Sequence, residues 1–307
     1  MNENYQVNWI NGMKITADHF IGMEDHFIHR VQQTVRGLVH PLNYGLVPGN
    51  DENVSLPHFS VSFNKDRLTV LHGFTALSPE GHLFQVPGNQ DFPLSQPQVQ
   101  SEWYYLIVSG RPFSRAPFGT IDTQENPARY PYAMQDFRFE FFAANRDQLH
   151  VLEPNTIPLG RYHGSSFEED KTYIPPCTSI QAHPELISLY KVFQESFSEL
   201  ERKIITLVRS KDHQNNPLLA QLIGFFGNHK TAIDQELPYL PPYALFEKAQ
   251  QAARIFHYYY KIQNREALND IVDFRYNHFD IRRAADVIYS FIRSHQQFLP
   301  FDARYRP

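Results

Sequence analysis

The stretch Tyr173-Ile174-Pro175-Pro176-Cys177 divides this chain of 307 residues into two parts whose apolar residues follow different periods. Before it, prolines and glycines recur every few residues and the apolar segments are short, which is typical of strands and turns. After it, apolar residues recur at helical spacing over long segments. The sequence therefore predicts an α+β fold with a β-rich domain at residues 1–176 and a helical domain at residues 177–307.

Short segments of the first part have the composition of strands, because they are β-branched or aromatic and are bounded by turn residues. They are residues 61–63, 68–71, 82–86, 104–108 and 137–141. The sequence Ser78-Pro79-Glu80-Gly81 predicts the turn of a hairpin, since proline suits its second position and glycine its fourth. Together these segments favour a β-sandwich or barrel.

A helix is predicted before the strands, over about residues 16–39, with Thr16 as its N-cap. Apolar residues recur along it every three or four positions, and these are Phe20, Met23, Phe27, Val31, Val35 and Leu38. By contrast, residues 111–136 hold four prolines among aromatic residues with no regular period. A connection of this length is usually functional, and we expect an extended arm or a binding loop.

The second part predicts four helices in an up-and-down bundle. The first starts at His183-Pro184 and runs to about Ser210; the others start near Pro217, pass through Leu245, and span residues 280–298. The first has a nearly heptad seam, which suits self-association as well as burial within one bundle. The oligomer-seam candidates are Leu186, Leu189, Phe193, Phe197, Leu200, Ile204 and Leu207.

Composition excludes several classes of protein. The net charge of −5, with no long basic run, argues against binding to nucleic acid. The single cysteine, Cys177, cannot form an intrachain disulfide. No secretory signal is visible at the N-terminus, and no apolar run is long enough to span a membrane. We therefore expect a cytoplasmic protein that does not insert into the membrane.

Motifs that would indicate catalysis are missing from the sequence. Fifteen histidines occur, and the densest group, His19, His26 and His29, has no His-Glu-x-x-His or Cys-x-x-Cys pattern beside it. Nucleophile elbows and phosphate-binding loops do not occur either. We predict no catalytic residue, no metal and no cofactor, although paired carboxylates that meet only in the fold remain an alternative.

The N-terminal stretch from Val7 to Phe20 resembles the opening of TssK, the trimeric baseplate subunit of bacterial type VI secretion systems. Six positions match in order and spacing, namely Val7, Trp9, Gly12, Met13, His19 and Phe20, whereas Asn11, Ala17 and Asp18 depart from the usual Glu, Pro and Gln. Four later segments also resemble family motifs in the same order, at residues 41–46, 79–87, 157–161 and 173–177.

This resemblance implies a β-sandwich shoulder domain, like those of siphophage receptor-binding proteins, and a helical neck. It also implies a non-enzymatic homotrimer that binds the wedge proteins TssF and TssG at the inner face of the cytoplasmic membrane. Family members continue into a head domain that docks onto TssL and TssM. This sequence stops after the fourth predicted neck helix, so we expect a natural short form without a head, which puts membrane-complex docking in doubt.

The motif residues Trp9, Gly12, Met13, His19 and Phe20 are the candidates for partner binding or for locking a trimer. The alternative for Trp9, Met13 and Phe20 is that they attach the N-terminal segment to the sheet. Two other functions stay open at this point: a phage-tail-like module that recognises a surface carbohydrate, and a carbohydrate-active or metal-dependent enzyme.

Overall fold

The computed structural model describes residues 6–49, 60–64, 66–97, 99–143, 149, 152–164, 166–209, 217–262 and 269–298. The chain forms two compact units, the first from Met1–Gly45 and Phe59–Asp170 and the second from Leu46–His58 and Lys171–Pro307. Strands dominate the first unit and helices the second. The predicted α+β fold class is therefore confirmed.

The first unit begins with helix α1, Ala17–Arg36, and Thr16 is its N-cap as predicted. The strands that follow are β1 Gly45–Leu46, β2 Ser60–Asn64, β3 Arg67–His72, β4 Phe74–Leu77, β5 Leu83–Val86, β6 Gln90–Ser95, β7 Trp103–Phe118, β8 Tyr132–Ala143, β9 Thr156–His163 and β10 Glu168–Glu169.

Seven of these strands form one sheet in the order β10-β9-β7-β8-β6-β3-β2. Adjacent strands of this sheet run antiparallel, except that β6 and β8 run parallel to each other. Strands β4 and β5 form a separate hairpin in which Leu77 lies opposite Leu83. The turn predicted at residues 78–81 joins them, with Gly81 N donating to Ser78 O.

Aromatic residues are prominent in the core of this unit. Successive residues of a strand point to opposite faces of the sheet, so every second residue enters the core. Phe137, Phe139 and Phe141 of β8 are buried, whereas Arg138 and Glu140 between them are exposed. A further layer comes from the β4–β5 hairpin, whose Phe84 ring lies 6.0 Å from that of Phe137. Gly110 lies under Phe84, and a Cβ at Gly110 would come within 2.4 Å of that ring.

Residues 111–136 differ in part from the prediction, because half of them belong to the strands of a ribbon. Strand β7 continues to Phe118 and β8 begins at Tyr132, which lies opposite it. The prolines hid this pattern: Pro112 lies in the irregularity between Arg111 and Arg115, where proline is tolerated in a sheet. An extended arm is present, but it is built as a two-stranded β-ribbon.

The second unit contains α2 Pro184–Arg209, α3 Pro217–Thr231, α4 Pro242–Ile262, α5 Asn269–Asp273 and α6 Ile281–Phe298. The four long helices agree with the prediction, and α5 is an additional short one. Helix α3 ends at Thr231 and is followed by a π-turn at Ala232–Glu236 and a 3-10 turn at Leu237–Tyr239, where Pro238 cannot continue an α-helix. Ring contacts join the helices, such as Phe197 to Phe226 at 4.3 Å between centroids.

Candidate partner-binding surface

The N-terminal motif forms a small aromatic cluster at the start of α1. The Trp9 ring lies 6.0 Å from the His19 ring and 6.3 Å from the Phe20 ring, measured between centroids. His19 is oriented by the helix cap, because its Nδ1 accepts from the Thr16 backbone N–H at 3.1 Å. The motif therefore brings Trp9, His19 and Phe20 together, as three of the five candidate residues.

Gly12 has a structural role in this cluster, because it forms the turn that leads into it. Met13 N donates to Ile10 O at 3.2 Å, which closes a turn with Gly12 at its third position. Gly12 has φ +83°, a conformation that glycine adopts far more readily than other residues. Met13, which follows it, is half-buried. The roles of all five residues in binding a partner stay predictions.

Helix α1 is attached to the rest of the first unit by polar contacts. Arg115 Nη2 lies 2.6 Å from Asp25 Oδ1 and 3.2 Å from Glu24 Oε2. Near the other end of α1, Gln32 Nε2 donates to Glu80 O at 3.2 Å. These contacts place Asp25 and Gln32 on the side of the helix that faces the rest of the first unit, where the apolar residues Met23, Ile28 and Val35 are also half-buried.

The turn before β5 sets how closely α1 can approach. Gly81 has φ +82°, and a Cβ on it would lie 2.7 Å from Arg36 N and 2.9 Å from Gln32 O. No side chain fits in that space without moving the backbone of the helix. Glu80 beside it also forms an ion pair with Arg36 at 3.0 Å. The turn and the last part of α1 are therefore in direct backbone contact.

The apolar stripe of α1 faces outward instead of into a core. No residue of α1 is buried, and Phe20, Phe27 and Val31 are 52%, 61% and 59% exposed. Trp9 next to the helix is 46% exposed. Full burial of one such side chain is worth about 1.5–3 kcal/mol, so leaving several in water forgoes a large stabilisation. A contiguous exposed apolar surface of this kind is characteristic of an interaction site.

A groove of about 690 Å³ runs beside this stripe. It is lined by Phe27, Ile28 and Val31 of α1, by residues 81–83, and by residues 131–135 at the start of β8. His82 in this lining is buried, and burial together with the nearby His29 lowers its pKa to about 4. The imidazole of His82 is therefore neutral at physiological pH.

A larger groove of about 960 Å³ lies on the polar face of the main sheet. Its lining includes Arg111, Arg138, Glu140 and Glu153 together with Phe113. On β8, Arg138 and Glu140 lie on this face, opposite the uncharged Ser109 and Ile107 of β7. Among the described residues that line it there is no histidine or cysteine. This arrangement resembles the solvated face of a sheet.

Metal ligands are not assembled in the part of the chain that the structure describes: no three His, Cys, Asp or Glu side chains are placed to hold an ion together. The histidines of α1 have other partners, since His19 binds Thr16 and His29 lies 2.9 Å from Gln33 Nε2. Among the described helices, none combines the length and the apolar character that crossing a bilayer requires.

The candidate oligomer seam lies elsewhere, on α2 of the second unit. Six of its residues are buried within a single chain, namely Leu186, Leu189, Phe193, Phe197, Leu200 and Ile204, and Leu207 is half-buried. Phe197, for example, contacts Phe225 and Phe226 of α3. The burial of these six residues needs no second copy, and their part in an oligomer stays a prediction.

Comparison with known proteins gives matches only at the level of structure. No protein-family model matches the chain, and no curated protein matches it significantly. A crystal structure of TssK aligns with a TM-score of 0.62 and 14% identity, over 97% of this chain and 70% of its own. A chain of the TssK–TssF–TssG baseplate subcomplex of a type VI secretion system aligns with a TM-score of 0.54 and 14% identity, over 95% and 99%.

A third solved structure, TssK from the type VI secretion system of EAEC bound to a nanobody, aligns with a TM-score of 0.53 and 14% identity over 87% of this chain and 67% of its own. The fold is thus one found in type VI secretion baseplates. More particularly, it is the fold of TssK, as the sequence motifs predicted.

Sequence reasoning missed the residues that attach α1 to its own unit. Arg115 lies in the segment predicted as an irregular arm, and its contacts with Glu24 and Asp25 join residues about 90 positions apart in the chain. Gly81 carried a partial signal, since its place in a predicted turn marked it as conformationally special. Nothing local in the sequence indicated that the apolar stripe would face outward.

Proposed function

We propose that this protein is a non-enzymatic structural adaptor of a type VI secretion baseplate. In this role it assembles as a homotrimer, binds the wedge proteins TssF and TssG, and acts at the inner face of the cytoplasmic membrane. The TssK fold supports the proposal, as does the solved subcomplex in which a protein of this fold is accompanied by TssF and TssG.

The observation that carries the proposal is the outward-facing stripe of α1. A helix with apolar residues at regular spacing normally buries them, yet Phe20, Phe27 and Val31 are all more than half exposed. Together with Trp9 they form what we call the α1 surface, defined by Trp9, Phe20, Phe27 and Val31. An adaptor needs such a surface, whereas an enzyme needs convergent polar groups in a pocket.

Phe27→Asp tests this proposal, because it places a charge in the centre of the α1 surface. We expect the variant to fold normally and to lose at least about tenfold in affinity for a purified TssF–TssG complex, since burying an unpaired carboxylate at an interface is costly. Isothermal titration calorimetry gives the affinity, and light scattering gives the number of chains in the particle.

Val99→Asp is the matched control, because Val99 is an equally exposed apolar residue of the first unit that lies outside the α1 surface. It is expected to bind as the wild type does. If Phe27→Asp binds TssF–TssG with wild-type affinity, the α1 surface has no part in wedge binding. A wild-type chain that stays monomeric at all concentrations would contradict the trimer.

A further inference from the structure

The groove beside the α1 surface has an unusual lining. Residues 131–135 line it consecutively, as do residues 81–83. Successive side chains of a strand point to opposite faces of its sheet, so a groove along one face is lined by every second residue. Consecutive lining residues on β8 mean that the groove is not confined to one face of the strand and includes its edge, and Pro112, Ser114 and Arg115 of β7 line it as well.

The pairing of β8 agrees with an open edge at this point. Strand β7 pairs with β8 along one side from Tyr132 onward. On the other side, β6 pairs with β8 only at Phe139 and Glu140. In the described part of the chain, residues 132–136 of β8 therefore have a strand neighbour on one side only. Such an edge is a ready template for an additional strand.

The sequence indicates which backbone groups point into the groove. Pro117 lies opposite Ala133 in the ribbon, and proline has no N–H to donate across it. This suits a non-hydrogen-bonded pair, in which the N–H and C=O of both residues point away from each other. By the same alternation, the N–H and C=O of Ala133 and Gln135 are directed to the open edge.

The groove is also chemically selective. Arg115, the cation of its lining, binds both Glu24 and Asp25, so the groove offers no unpaired positive charge to a partner. Phe27 and Val31 on one wall and Leu83 and Tyr132 on the others are exposed and apolar or aromatic. A suitable occupant is therefore extended and without acidic side chains at this point, with apolar side chains on the face that meets α1.

We propose that an extended segment of a protein partner adds as a strand to the edge of β8 at residues 132–136, with its apolar side chains against Phe27 and Val31. This inference rests on the proposed function, because the segment is taken to belong to the TssF–TssG complex. Main-chain hydrogen bonds to Ala133 and Gln135 would fix its register, and the apolar wall would select its side chains.

Ala133→Pro tests the strand addition, because it removes an outward N–H and leaves the ladder with β7 intact. We expect about tenfold weaker binding to TssF–TssG, from the lost hydrogen bond and the blocked edge. Ala133→Val keeps the N–H and should lose less affinity than Ala133→Pro. Val99→Pro, in an exposed bend away from the groove, is expected to bind as the wild type does.

Hydrogen–deuterium exchange on the wild-type chain provides an independent readout that needs no variant. Addition of TssF–TssG should slow exchange of the Ala133 and Gln135 amides, and the amides of Ala116 and Phe118 on the opposite strand should change less. If these amides exchange equally fast with and without the complex, strand addition is wrong. If they become protected as this chain is concentrated alone, the occupant is a second copy and the inference is also wrong.

The variants separate this inference from the proposed function. If Phe27→Asp abolishes binding while Ala133→Pro binds like the wild type, wedge binding stands and strand addition does not. If neither variant affects binding, neither the α1 surface nor the edge of β8 binds the wedge, whereas a wild-type chain that does not bind TssF–TssG at all would contradict the proposed function itself.

Discussion

Helices α1 and α2 carry the same kind of apolar stripe, but the fold uses the two in opposite ways. On α2, Phe197 and Leu200 are buried by the other helices of the second unit. On α1, Phe27 and Val31 face outward, and it is the polar residues Asp25 and Gln32 that contact the protein. The comparison shows that helical periodicity predicts a buried face without telling whether the chain itself or a partner buries it.

The largest change in stability is expected from a test that compares one phenylalanine from each helix. Phe197→Ala should lower the free energy of unfolding by about 3–5 kcal/mol, because it leaves a cavity between α2 and α3. Phe27→Ala should change it by less than about 0.5 kcal/mol, since the side chain is already solvated. Urea unfolding followed by circular dichroism measures both, and a loss of several kcal/mol in Phe27→Ala would mean that α1 buries its stripe.

A second test concerns how α1 is held, and it uses two glycines with nearly equal φ. Gly81→Ala should destabilise the first unit by about 2–4 kcal/mol, because the new Cβ meets the backbone of α1 as well as an unfavourable φ. Gly12→Ala meets the same unfavourable φ but has open space around its Cβ, so we expect it to lower the free energy of unfolding by only about 1–2 kcal/mol. Thermal unfolding distinguishes them, and equal losses would show that the close approach to α1 carries no energy.

The smallest expected effect is a pH dependence centred on His82. Its pKa is about 4 in the folded protein and near 6.5 in the unfolded chain, so the unfolded state binds more protons between these values. Stability is therefore full above pH 6.5 and falls as the pH drops towards 4. His82→Gln should remove this component, and wild-type and variant curves that fall in parallel between pH 7.5 and 4.5 would contradict it.

Much of the fold could be predicted because the deciding signals are local. Thr16 marks the start of α1, and Pro184 and Pro242 each begin a helix of the second unit. Strands β6 and β9 escaped detection because each contains a proline, Pro93 or Pro158, that looks like a strand breaker out of context. The ribbon of β7 and β8 was misjudged for the same reason.

The candidate site was predictable only in part. The motif from Trp9 to Phe20 lies at the start of α1, and the structure brings Trp9, His19 and Phe20 into one cluster, whose part in binding stays a prediction. The groove, by contrast, depends on Arg115, Gly81 and Ala133, which lie far from α1 in sequence and carry no motif. Contacts of this kind follow from strand pairing, which a pattern of residue types does not specify.

The sequence by itself determined the division into strand-rich and helical parts, the caps and breaks of the helices, and the likeness to TssK. Each of these depends on neighbouring residues, whose preferred backbone angles and hydrogen bonds are short-range. Only the tertiary structure decided that α1 turns Asp25 and Gln32 to the rest of its own unit and Phe20, Phe27 and Val31 to solvent. This orientation of the helix depends on Arg115 and Glu80, which lie far from α1 in sequence. Arg115 forms an ion pair with Asp25, and the Glu80 carbonyl accepts a hydrogen bond from Gln32. The periodicity of the apolar residues predicts that Asp25 and Gln32 would be exposed.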